Sequence, residues 1–393
     1  MFSIKFIFLF TKLLELVVFC IYGKRMSKAK SNKTYWQLAT IPIIAYTLIE
    51  GLRFGRKIDW NLYFFRYRNL GINTELEDYE PVFEGICNFL YNIGFSYPMF
   101  ICFQCLLVIF SVVLFLSNHK ELLKWALPIS LILIAGNEMF IRFYMGFAFG
   151  LIGLYFTDRN DLNFYIKYIL ALLFAVIGGL NHLAAYSFIL IIICKTILNK
   201  RVIPWQYSIP ILFITTFLMS IADLMFITKF TDFLYVFGGN DYHGAGYLDR
   251  TDDILSGDFG HVGYMSSSFQ TKIRTFIRCA PIFYYGNKYL VTEKSHCFYY
   301  NLFVIGYIIA PLFNTVEIFN RFSGMLCFMG CIIFSIVYMS PKPQKHKTIE
   351  YYLICISIIF FFYPFIVDAL FRVGDENMMF IWDANGRNYL KWW

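Results

Sequence analysis

YWQLATIPIIAYTLIEGLRFGRKIDWNLYF, residues 35–64, changes character at its midpoint. From Tyr35 to Ile49 it is a mostly apolar run; immediately after, Arg53, Arg56, Lys57 and Asp59 emerge among aromatics. A bilayer crossing takes about 20 mostly apolar residues, so the first half reads as a span and the second as the place where the chain meets one membrane interface.

The rest of the chain repeats the first half many times. Over 393 residues it is 59% hydrophobic, 21% aromatic and 15% charged, with a mean hydropathy of +0.57. A soluble domain carries about 25% charge, so polar residues cannot cover this much apolar surface. The expected fold class is an all-α polytopic membrane protein, one domain over 1–393, with about twelve transmembrane helices. The expected spans are 3–22, 35–51, 97–117, 125–140, 143–157, 163–179, 183–198, 206–227, 271–290, 297–314, 322–339 and 349–367. The amphipathic segment 81–95 is expected as an interfacial or re-entrant helix. The N-terminal run is too long for a signal peptide and lacks a small-residue cleavage site, so it reads as a retained first helix.

Ten cysteines fall almost entirely in apolar segments and read as small core residues, including Cys102 and Cys105 in YPMFICFQCLLVIF. The net charge of +8 fits cations near anionic headgroups, and no basic repeat with stacking aromatics points to nucleic acid. The short loops KRMSKAKSNK, NHKELLK, CKTILNKR and PKPQKHK share one side by span parity, which makes that side the cytoplasm. Lys28 and Lys345 are then cytoplasmic, and Asn73 and Tyr247 lie outside with the long loops 52–96 and 228–270.

That topology gathers polar residues at the outer interface: Arg53, Arg56, Asp59, Glu80, Arg142, His182 and Arg321. Each charge at the hydrocarbon costs about 3 kcal/mol, so such groups tend to face a cavity. Taken singly, Arg142 and Arg321 read as snorkelling cations, His182 as a helix-end histidine, Asp59 as a partner for Arg56 and Glu80 as an N-cap. Together they suit sugar transfer from a lipid diphosphate. Arginine forks match phosphate oxygens, and a histidine or a carboxylate can take the proton of an attacking hydroxyl. Tyr63, Phe64, Phe65, Tyr67 and Tyr79 offer platforms for sugar rings. A flippase for lipid-linked units is the alternative, with charges expected along the middle of spans; a non-catalytic assembly component and a membrane acyltransferase are others.

The string GLRFGRKIDWNLYFFRY, residues 51–67, resembles the G-L-R-x-G-x-x-x-D-x-x-x-Y signature of the EpsG family of exopolysaccharide and capsule polymerases. YEPVFEGICNFLYNIGFSYPMFICFQ resembles its E-P-x-F continuation, MFIRFYMGFAFGLIGLYF its I-R-Q-x-x-A helix start, and GGLNHLAAYSFIL its F-H-x-S-A segment. Phe143, Gly146 and Asn181 depart from the residues usual there, while the arginine and the histidine are kept. The resemblance implies a Wzy-like polymerase that joins oligosaccharide repeats carried on undecaprenyl diphosphate. The work would be done at the outer face of the bacterial cytoplasmic membrane, without metal or other cofactor. It implies Arg53, Asp59, Arg142 and His182 as catalytic, and Arg56, Tyr63, Glu80 and Arg321 as substrate-binding residues. Membrane lipid, a chain-length regulator and a flippase are the candidate partners.

Overall fold

Serines start the first two helices. Ser3 accepts a hydrogen bond from the Phe6 amide and opens α1 (Ile4–Met26), and Ser31 accepts one from Thr34 and opens α2 (Asn32–Gly51). The computed structural model describes residues 3–70, 80–198, 201–218, 269–290, 296–313, 317–340, 348–374 and 377–384. Among the described residues the chain is all-helical; the one β pairing is an isolated antiparallel bridge between Arg53 and Phe380.

After α2 come α3 (Lys57–Arg68), α4 (Pro81–Asn92), α5 (Tyr97–Leu116), α6 (Leu123–Leu133), α7 (Ile141–Thr157), α8 (Phe164–Gly179) and α9 (Ser187–Leu198). The later helices are α10 (Trp205–Phe213), α11 (Phe269–Leu290), α12 (Cys297–Phe313), α13 (Glu317–Phe328), α14 (Gly330–Met339) and α15 (Thr348–Phe371). Among the described residues, three stretches are long and apolar enough to cross a membrane: Tyr97–Glu138, Arg321–Met339 and Ile349–Phe371. Five shorter apolar helices accompany them, among them Ile141–Thr157 and Phe164–Gly179.

The chain divides into two compact units, Met1–Cys194 with Phe362–Trp393, and Lys195–Phe361. In the first, α1 packs on α2 and α6, α2 on α5, α5 on α7 and α7 on α8. In the second, α12 packs on α13, and α11 lies against α10 and α14.

The expected boundaries shift in several places. The stretch 97–140 breaks at His119, whose φ/ψ of −127°/47° interrupts the helix between α5 and α6. The expected span 322–339 falls into α13 and α14, parted at Met329. Part of the expected loop 52–96 is helical: α3 lies within it, and the amphipathic segment beginning at Pro81 forms α4. Loop residues 228–268, and with them Tyr247, lie outside the described residues, as do Asn73, Tyr79 and Lys345.

Helices α7 and α8 meet backbone to backbone. A Cβ on Gly178 would stand 2.7 Å from the Gly146 carbonyl oxygen, and one on Gly146 would stand 2.9 Å from that of Gly178. Small residues permit such approach between apolar helices. Gly178→Ala is therefore expected to push α8 off α7 and to destabilise the first unit by about 1–3 kcal/mol. Thermal unfolding of the purified protein in detergent checks it; an unchanged midpoint would mean the two backbones are less tightly held than their geometry says.

Candidate functional site

The signature loop begins where α2 touches α5. A Cβ at Gly51 would stand 2.7 Å from the Cys102 Sγ and 2.8 Å from its Cα, so only glycine lets the helix end there. Gly55 then turns the chain with φ +63°, a left-handed conformation that glycine adopts without a steric penalty. Arg53, between these glycines, and Arg56, directly after the second, point into protein. Arg53 is fully buried, its Nη1 donating to the Glu50 carbonyl at 2.8 Å and its Nη2 to the Asn137 carbonyl at 3.2 Å. Arg56 is equally buried, donating from Nε to the Met379 carbonyl at 2.8 Å and from Nη1 to Glu138 Oε1 at 3.1 Å.

Around Arg56 a closed ionic network assembles from four distant parts of the chain. Glu138 Oε2 accepts from Arg372 Nη1 at 2.8 Å, and Lys12 Nζ lies 3.6 Å from Glu138 Oε1 while hydrogen-bonded to Glu50. Glu15 stands 3.9 Å from the same lysine. The Arg56 guanidinium also sits 4.2 Å from the Phe380 ring centroid and 4.9 Å from that of Phe8. Burial lowers the Arg56 pKa below the ordinary arginine value, with Glu138 and Glu50 pulling the other way. The C-terminal segment closes over the loop through Phe54 N to Met379 O at 3.0 Å and Ile381 N to Leu52 O at 3.0 Å. Arg53 and Arg56, expected to face a diphosphate, thus spend the donors described here on the protein itself. The Glu138 carboxylate pairs with Arg56, and Asp59 is half-buried in the first turn of α3.

A second cluster forms where α4, α7 and the turn after α8 converge. Glu80 occupies the N-cap position of α4 with Pro81 at N1, yet its carboxylate makes no cap hydrogen bond. Instead Oε2 accepts from Arg142 Nη1 at 2.6 Å and Oε1 from the Leu183 amide at 3.2 Å. The Val82 amide donates to the Leu180 carbonyl at 3.0 Å, fixing α4 to that turn. Asn181 Nδ2 donates to the Arg142 carbonyl at 2.9 Å, and the His182 ring meets Phe143 edge-on with centroids 5.6 Å apart. Arg142 and Glu80 each keep 16% of their side chain exposed, so the pair borders open space, whereas Arg53 is sealed.

His182 has a defined tautomer here. Its Nδ1 accepts the Ala184 amide at 3.2 Å, so the neutral ring carries its proton on Nε2. That nitrogen is a donor, suited to a phosphate or leaving-group oxygen.

The remaining expected residues are Tyr63 on α3 and Arg321 in the other unit. Tyr63 is buried on α3, its ring 5.5 Å from Phe83, beside a small cavity lined by Arg66, Tyr67, Glu84 and Cys87. Arg66 pairs with Glu84 there, and burial pushes the Cys87 thiol up to about 12. Arg321 is half-buried on α13, in the second unit.

Three of the four sequence motifs, those of Glu80, Arg142 and His182, therefore meet in space, and the fourth supplies the buried loop. The EpsG family model matches residues 36–378, most of the chain. The chain belongs to the EpsG family. No curated protein and no solved structure matches it. EpsG membership, with the apolar helices, fits a polysaccharide polymerase-like membrane protein.

Sequence reasoning missed Lys12, Glu15, Glu50, Glu138 and Arg372. The signal for the first two was present: Lys12 and Glu15 are charges three residues apart in an apolar helix, where such groups need partners. Arg372 carried no comparable mark, because it follows the end of α15.

Proposed function

We propose that this EpsG-family protein is a polymerase that joins oligosaccharide repeats carried on undecaprenyl diphosphate at the outer face of the bacterial cytoplasmic membrane. The observation that carries the reading is the meeting of Glu80, Arg142 and His182, drawn from three separate motifs, in one partly exposed cluster. In glycosyl transfer an acceptor hydroxyl attacks the anomeric carbon, and the bond from that carbon to the diphosphate oxygen breaks with its electron pair leaving on the diphosphate. Arg142 is the cation of the cluster and takes the developing charge. Glu80 holds it in place, and His182 Nε2–H donates to the departing oxygen. The acceptor proton goes to a carboxylate, for which Asp59 is the candidate. Arg53 and Arg56 shape the signature loop.

Buried charges on α1 favour a second reading as a flippase, because Lys12 and Glu15 lie midway along an apolar helix. Against it, Lys12 is already paired with Glu50 and close to Glu138. Deleting the chain from its cells separates the two. Loss of a polymerase leaves single lipid-linked repeats exposed to an impermeant lectin at the outer face. Loss of a flippase leaves them inaccessible behind the membrane, and that result would overturn the polymerase reading.

A further inference from the structure

Arg278 lies near the middle of α11, a helix of 22 residues that carries no carboxylate. At about 1.5 Å per residue such a helix is about 33 Å long, enough to cross a hydrocarbon core, and its middle is where a cation needs a partner. Among the described residues the Arg278 guanidinium makes no ion pair and no hydrogen bond to an oxygen; the polar group beside it is the Cys279 thiol, a weak acceptor. Glu350, near the far end of α11, is engaged by Lys288 at 3.4 Å and by Tyr289.

Two rings hold this cation in place. Its central carbon lies 5.3 Å from the Tyr307 ring centroid on α12 and 5.7 Å from that of Phe361 on α15. Ser357 Oγ donates to the Arg278 carbonyl at 2.9 Å and ties α11 to α15. A side chain held in this way is not the free lever that snorkels to headgroups. Its Nε is sealed, but the residue is half-buried and both Nη nitrogens keep accessible surface. Tyr307 is 4% exposed, and its hydroxyl also makes no hydrogen bond among the described residues while keeping accessible surface. Two open donors are therefore neighbours, one of them charged. Arg274, one turn earlier on α11, adds a second cation, and like charges four residues apart on a helix repel. A bound anion offsets that repulsion. A phosphate group suits the donors, since its oxygens match the arginine fork and leave another to accept from the hydroxyl.

We propose that Arg278 and the Tyr307 hydroxyl form an anion site that holds the phosphate of a lipid carrier. Its place in the reaction rests on the polymerase reading. Joining two carried repeats breaks the bond to one diphosphate, while the acceptor repeat keeps its own through the transfer. Arg142 is assigned to the first, and Arg278 holds the second.

The probe is radiolabelled undecaprenyl diphosphate, bound at equilibrium to the full-length protein in a phosphate-free, non-ionic detergent. Arg142→Lys serves as the background, because it removes the fork of the other cluster. In that background Arg278→Lys and Tyr307→Phe are each expected to weaken binding about tenfold, with neither inorganic pyrophosphate nor phosphatidylglycerol displacing the probe at equal concentration. Tyr307→Phe keeps the ring and removes only the hydroxyl, so it reads the site even where Arg278→Lys folds poorly. Unchanged binding in both variants, or no saturable binding before either substitution, overturns the site. Displacement by pyrophosphate overturns the assignment because a free anion then suffices, and displacement by phosphatidylglycerol does so because any headgroup then serves. Tenfold weakening in both variants, in a chain that does not lengthen lipid-linked saccharide, leaves the carrier site standing in a protein of another activity.

Discussion

Glu138→Gln is expected to leave little folded protein in the membrane. The Glu138 carboxylate lies 3.1 Å from Arg56, 2.8 Å from Arg372 and 3.6 Å from Lys12, and its side chain is 5% exposed. Removing its charge strands cations that water cannot reach, and breaking a buried pair in this way costs about 3–5 kcal/mol. The network ties α1, the signature loop, the Ala135–Glu138 turn and the C-terminal segment, so the loss spreads beyond one contact. Thermal unfolding in detergent and abundance in membranes both read it. A contrasting variant, Asp368→Asn, removes a half-exposed carboxylate from Arg372 and is expected to cost less than about 1 kcal/mol. Equal, small effects from the two would show that Glu138 is not the hub its distances make it.

Arg142→Lys is expected to abolish polymer without harming the fold. Lysine keeps the charge but not the planar fork, so it cannot hold Glu80 with one nitrogen and offer phosphate oxygens the others in fixed geometry. Loss of one preorganised donor at a developing negative charge lowers rates by about 10²–10³. Glu80→Gln is expected to act in the same direction by freeing the arginine and weakening the bond to the Leu183 amide. Polymer length and the pool of single lipid-linked repeats are compared in cells with matched membrane abundance of each variant. Normal polymer in both would reduce the pair to a structural clamp between α4 and α7.

Much of this site was legible because it sits in short motifs at helix starts. Glu80 before Pro81, Arg142 at the head of α7 and His182 after a glycine pair each marked a boundary, and the structure brings those boundaries together. The helix α3 was hidden inside an expected loop. Its buried face, Trp60, Tyr63 and Tyr67, has helical spacing, but the neighbouring Asp59, Asn61 and Arg66 gave it the composition of a polar connection. The surroundings of Arg53 and Arg56 were illegible for a different reason. Apart from the nearby Glu50 carbonyl, their partners include backbone carbonyls of Asn137 and Met379 and the carboxylate of Glu138, separated from them by 82 to 323 residues. No local pattern records a contact of that kind. Two arginines of a signature motif thus turn out to be buried in its loop, while Glu80 and Arg142 form a partly exposed pair.

The most direct measurement reconstitutes the purified protein in liposomes with an undecaprenyl-diphosphate-linked repeat unit. The expected result is lengthening of the lipid-linked saccharide with one undecaprenyl diphosphate released for each linkage formed, lost in Glu80→Gln and Arg142→Lys. Lipid-linked repeats that remain single with the unsubstituted protein, or that lengthen equally with both variants, would contradict the account.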